Sequence, residues 1–308
     1  MSRAADSGAC ASGETSTGPD VDVSGSSATP TGPGSSPAEA SADASATRPR
    51  DYALGVVVAI AVFGLGARVV ALGGRPFHWD EARVGYWALR YLDTGAFQYR
   101  PIAGGPLLYH LDRIVFAAFG PSDQVARLPV AVVSAALPLV VLLFRDWLDD
   151  VELVVFAAVL AVQPVVLYYS RFLRGDVLLA LFGLATVGFT LRAWNRGRRR
   201  DAYAAAVCLP VAASASGFVV GYLLCLAGAW LLVVDGRTIA GDGNSGVHRS
   251  AASIRRRLAG QVTPMARAGL LATAVTVLLF APRSGSGLGV GLDDPSTIHL
   301  AVYEGTVG

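Results

Sequence analysis

From residue 202 to residue 234 the chain runs without one charged side chain. As a single helix, at a rise of about 1.5 Å per residue, that run would measure about 50 Å, against a bilayer hydrocarbon core of about 30 Å. Two shorter helices broken near Ser216-Gly217 fit it better. Further apolar runs lie at 53–72, 125–144, 153–169, 177–191 and 266–281, and those at 153–169 and 177–191 are short enough to need help from flanking residues. A composition of 53% hydrophobic and 16% charged residues is one a soluble domain seldom reaches, so lipid is the expected solvent.

Charge placement gives an independent test, because short cytoplasmic loops are enriched in Arg. Residues 1–50 are almost entirely Ser, Ala, Gly, Thr, Pro and Asp with no aromatic residue, which predicts a disordered cytoplasmic tail. The run at 53–72 is too long and too far from the N-terminus for a cleaved signal, and follows Arg48 and Arg50, so it reads as a retained anchor. Seven spans then put Arg145, the cluster between Arg192 and Arg200, and the arginines from Arg237 to Arg267 inside. Facing outward are residues 73–124, 170–176, a turn near Gly217 and everything after Pro282. The fold expected is an all-α, polytopic transmembrane helix bundle of about seven spans over residues 51–308, multi-pass in the plasma membrane.

The first outward loop, about fifty residues, has order of its own. From Asp80, the positions Val84, Trp87, Ala88, Tyr91 and Leu92 follow helical spacing, while Arg83, Arg90 and Asp93 lie elsewhere. A second stretch from Pro106 to about Phe119 sets Leu107, Leu108, Leu111, Val115 and Ala118 on one face and His110, Asp112 and Arg113 off it. Both read as amphipathic interfacial helices, joined at Gly104-Gly105, over the outer mouth of the bundle.

At the head of the first stands His78-Trp79-Asp80-Glu81-Ala82-Arg83. Asp80 can be an N-cap with Glu81 complementing the helix dipole, or a carboxylate at the lipid boundary that takes a proton from a sugar hydroxyl; the roles are compatible. The second outward loop, Ser170-Arg171-Phe172-Leu173-Arg174-Gly175-Asp176, sets two Arg and one Asp between apolar helices. Ionisable groups at that depth either line an aqueous site or act as snorkelling anchors. Arg68, near the outer end of the first span, can snorkel or pair with a loop acid. All 25 basic residues are arginine, which leaves Arg as the permanent cation for a phosphate. A net charge of +2 offers nothing to nucleic acid, and Cys10, Cys208 and Cys225 have no metal-ligand spacing. No phosphate-binding glycine loop or nucleophile elbow is present.

The two loop motifs, in this order around a run of apolar helices, resemble the membrane-embedded GT-C glycosyltransferases, among them protein O-mannosyltransferases and lipid A aminoarabinose transferases. Within that group the pattern is most similar to an archaeal family described as flippase-activity-associated. The resemblance covers roughly residues 55–185. It implies a sugar carried on a polyprenyl (dolichyl) phosphate, an extracytoplasmic active site, and transfer to an acceptor glycan, lipid or protein. It places the family's base on Asp80, with Glu81 beside it, and a second acid on Asp176, which together could hold a divalent cation such as Mg or Mn. Arg171 and Arg174 would neutralise the donor phosphate, and His78 and Arg83 complete the candidate substrate site. Two departures stand out: many relatives carry a Lys where this chain has Ser214 to Gly217, and relatives usually continue through more helices, so a truncated member is expected. The alternative implied is a non-catalytic component that binds lipid-linked sugars or assists their translocation.

Overall fold

The computed structural model describes residues 49–100, 104–239, 262–284 and 290–307. The expected disordered tail lies outside them except for its last two residues, as does the basic segment 249–257. Among the described residues the chain is helical throughout, with one isolated antiparallel bridge between Phe97 and Arg283. The elements are α1 (Pro49–Val69), α2 (Trp79–Thr94), α3 (Pro106–Phe119), α4 (Asp123–Ser134), a 3-10 segment (Leu137–Phe144), α5 (Asp150–Val162), α6 (Pro164–Tyr169), α7 (Asp176–Arg196), α8 (Arg199–Ala215), α9 (Val219–Ile239), α10 (Val262–Phe280) and α11 (Ile298–Val307).

Among the described residues, four stretches are long and apolar enough to cross a bilayer: Tyr52–Val69, Asp123–Phe144, Asp176–Arg196 and Val262–Phe280. The uncharged run breaks between α8 and α9, where Ser216 is extended, as its length demanded. Two other breaks follow from proline chemistry. Pro164 disfavours a helical residue before it and is preorganised for a first turn, so 153–169 forms α5 and α6 and not one rod; the Gln163 side chain caps the second by accepting from the Val166 amide at 2.6 Å. Pro138 has no N–H for the Ser134 carbonyl, and the chain continues from α4 as a tighter 3-10 turn.

Both helices expected in the first loop form. α2 buries Val84, Ala88 and Tyr91 and stops at Gly95, whose positive φ of 68° suits a residue without a Cβ. α3 differs from expectation in its facing. Leu108, Asp112 and Phe116 are buried, whereas Leu111 and Val115 are half-buried and Ala118 is exposed. The reason is that α3 is packed on several sides, by α2, α4, α8 and α10, which leaves no free polar face for Asp112. His110, also expected off the packed face, is instead half-buried, with Nε2 2.9 Å from the Leu279 carbonyl of α10.

Hydrogen bonds gather the four segments predicted to share a side at one end of the bundle. Leu173 of the second loop meets Glu81 of α2, Gly105 donates to Ala215 at the end of α8 (3.1 Å), and Arg283 pairs with Phe97. At the opposite end Arg196 closes α7 onto Asp146 through Nε at 2.7 Å and through Nη2. In the last turn of α1, Arg68 is wholly buried. It neither snorkels nor meets an acid; one guanidinium nitrogen donates to the carbonyls of Gly64 (3.0 Å) and Ala161 (3.3 Å), tying α1 to α5.

Candidate functional site

The site end is organised by a group the motif reading passed over. Arg127, one turn into α4, has no exposed surface, and its guanidinium faces the loop that joins α1 to α2. Nη1 donates to the carbonyls of Leu72 (3.1 Å) and Arg75 (3.0 Å), and Nη2 to that of Pro76 (3.2 Å). The same group grips Glu81 in a two-pronged pair, Nε to Oε1 and Nη2 to Oε2, both at 2.9 Å. Glu81 also accepts from the amides of His78 and Leu173, each at 2.9 Å, and from Arg75 at 3.3 Å. Burial pushes the Glu81 carboxyl up, but the bonds from Arg127, His78 and Leu173 outweigh it and hold the group below the ordinary Glu range. Five donors on a buried carboxylate leave it no lone pair facing a substrate. Glu81 therefore joins the first loop, α4 and the second loop, and positions its neighbours.

Asp80, next in the chain, is arranged oppositely. It is not the N-cap. His78 takes that place with an extended backbone, its Nδ1 accepting from the Asp80 amide (3.3 Å) while Glu81, three residues on, accepts from the His78 amide. Relieved of capping, the Asp80 carboxylate is 28% exposed, 3.7 Å from His78 Nδ1 and 3.5 Å from Arg174 Nη1. Arg174 Nε in turn holds Asp176 at 3.0 Å. One guanidinium thus lies between two half-exposed carboxylates drawn from the heads of α2 and α7.

The floor under this bridge is backbone. Gly175 precedes α7, and a Cβ there would run into the Ala215 carbonyl; a Cβ on Gly105 would strike the Ser214 carbonyl. The segment at the end of α8, where the resemblance leads one to expect a lysine, is therefore buried packing in this chain, with Ser214, Ala215 and Ser216 all enclosed.

Arg171 is not brought to the bridge. Its Nη2 donates to the carbonyls of Val70 (2.7 Å) and Ala71 (3.2 Å) at the end of α1. There it lines a separate cavity of about 520 Å³. Arg83 is exposed on α2, three residues past Asp80 and so on the same helix face. A divalent ion between Asp80 and Asp176 does not fit, because Arg174 fills that position; among the described residues no group of three or more His, Cys, Asp or Glu side chains could hold a metal.

Residues 101–242 match the family model described as dolichyl-phosphate-mannose-protein mannosyltransferase. The likeness to that mannosyltransferase family extends over somewhat less than half of the chain. A similar solved structure is the crystal structure of ArnT from Cupriavidus metallidurans bound to undecaprenyl phosphate, 21% identical with a TM-score of 0.49, over 73% of this chain. The chain spans 42% of that structure's length. A comparison with curated proteins found no match. The matched stretch contains Arg127, Arg171, Arg174 and Asp176, whereas Asp80 and Glu81 precede it. Arg127 could have been found from one signal: an arginine three residues into an otherwise apolar span must have a partner.

Proposed function

We propose that this chain forms the acid-base end of a membrane glycosyltransferase, which moves a sugar from a polyprenyl phosphate to an acceptor hydroxyl on the extracytoplasmic face of the plasma membrane. The observation that carries the reading is the Arg174 guanidinium held between Asp80 and Asp176 in a helical chain whose residues 101–242 match a mannosyltransferase family model. In the transfer, the acceptor oxygen bonds to the sugar's anomeric carbon as the bond from that carbon to the phosphate oxygen breaks. The hydroxyl proton passes to Asp80, and the lipid phosphate leaves with the bonding electrons. Charge grows on that phosphate, and Arg174, which keeps donors beyond those given to the two carboxylates, stands ready to oppose it. Asp176 orients Arg174; Glu81, saturated and buried, fixes the loop that carries Asp80.

The test is transfer of labelled sugar from a polyprenyl-phosphate donor by the full-length protein in proteoliposomes. Asp80→Asn is expected to lower turnover by roughly 10²- to 10⁴-fold, the usual worth of a general base. Equal turnover in the two proteins would remove Asp80 from the role. A second reading is favoured by the cation-free packing of Ser214 to Ser216: a non-catalytic component that binds lipid-linked sugar. Donor binding with no turnover on any acceptor, unchanged by Asp80→Asn, would select it.

A further inference from the structure

We infer that the cleft between Arg75 and Arg171 is a headgroup site for an anionic bilayer phospholipid, separate from the bridge at Asp80. The cleft, of about 520 Å³, lies where the end of α1 meets α6. Leu72, Leu167, Tyr168 and Phe172 give it apolar and aromatic walls, and the two arginines supply its polar edge. Tyr168 is 58% exposed, as expected of a ring at the boundary between lipid and water.

Charge decides the occupant. Arg75 lies close enough to Arg127 and to Arg171 to be opposed by both, and it shares the Glu81 carboxylate with Arg127. Arg127 already takes both Glu81 oxygens, and Arg171 has no acidic partner among the described residues. Three guanidinium groups against one carboxylate leave two positive charges beside an apolar wall, which a phosphate diester anchored by acyl chains would match. Both arginines are also preorganised: Arg75 is stacked 3.4 Å over the Phe172 ring, and Arg171 is tied to the α1 carbonyls. The site is not the reactive one, because none of Asp80, Arg174 and Asp176 lines the cleft. A phosphate there would hold residues 70–75 against the second loop and steady the Glu81 junction from outside.

The experiment places the full-length protein in nanodiscs of phosphatidylcholine with and without phosphatidylglycerol, and reads the thermal midpoint and the phosphatidylglycerol retained in native mass spectra. The expected result is a higher midpoint and one or two retained phosphatidylglycerol molecules in the wild type. Retention should fall at least tenfold in Arg171→Gln and in Leu167→Trp, which fills the cleft while leaving both guanidinium groups in place. Asp80→Asn should retain the lipid as the wild type does. Equal retention in wild type and Leu167→Trp would overturn the site, as would displacement of the lipid by an equimolar polyprenyl monophosphate, which would make the cleft the donor's seat.

Discussion

Asp80 and Glu81 share a peptide bond, yet they sit in two regions with opposite chemistry. Around Glu81 everything is closed: no exposed surface, a two-pronged arginine, two amides and a second arginine. Around Asp80 the carboxylate is partly exposed, and its cation is shared with Asp176 at longer range. A saturated acid in low dielectric is a structural joint, because giving up its charge would cost every bond it accepts. An acid with spare lone pairs and one shared cation can exchange protons. Neighbouring identical groups thus divide into scaffold and reagent through partners alone.

The sharpest way to break the closed region is Arg127→Ala. It leaves Glu81 buried without its main partner and frees three loop carbonyls, a loss of about 3–5 kcal/mol on the pattern of broken buried pairs. Little folded protein should survive size-exclusion chromatography in detergent; a normal yield and melt would show that the junction does not organise the loop. On the open side, Gly175→Ala forces a methyl into the Ala215 carbonyl and should destabilise by about 1–3 kcal/mol, with Asp176 displaced. Gly183→Ala, eight residues along α7 in open space, is its control and should gain up to about 1 kcal/mol. Similar melts for the two would sink the close packing of α7 on α8.

A third acid sharpens the comparison. Asp112 is buried like Glu81, but neither of its oxygens has a partner among the described residues, and burial raises its pKa well above the ordinary range. The folded state therefore keeps a proton that the unfolded chain releases above its ordinary Asp value of about 3.9. The contribution to stability falls as pH rises from there towards the raised value. Asp112→Asn, similar in shape and unable to ionise, should melt a few degrees higher than wild type near neutral pH, with the gap closing below about pH 4. A gap independent of pH would mean that Asp112 is already charged when folded.

Much of the architecture was legible because lipid imposes length and periodicity. The break in the 202–234 run followed from bilayer thickness, and α3 begins and ends at the residues its proline and apolar spacing marked. Facing was less legible: spacing assumes one packed side, and α3 has several, so Asp112 was placed outside when it lies inside. Pro164 was in plain view, but an apolar run on both sides of it hid the division of α5 from α6. In the candidate site, the motif residues were visible but their roles were not. His78 caps in place of Asp80, and Arg171 turns to α1. Arg127 escaped notice because its partner lies 46 residues away, beyond any local pattern.

That separation has a consequence for how the chain is made. Synthesis from the N-terminus delivers residues 72–81 well before the Arg127 guanidinium that donates to the Leu72, Arg75 and Pro76 carbonyls. Until α4 arrives, this stretch has no template, and Asp80 has no fixed address. Membrane integration of α4 is thus the first step that sets the acid in place, completed when the second loop brings Leu173 to Glu81 and Arg174 to Asp80, and faulty insertion of that one segment would disarm a loop whose own residues were all correct.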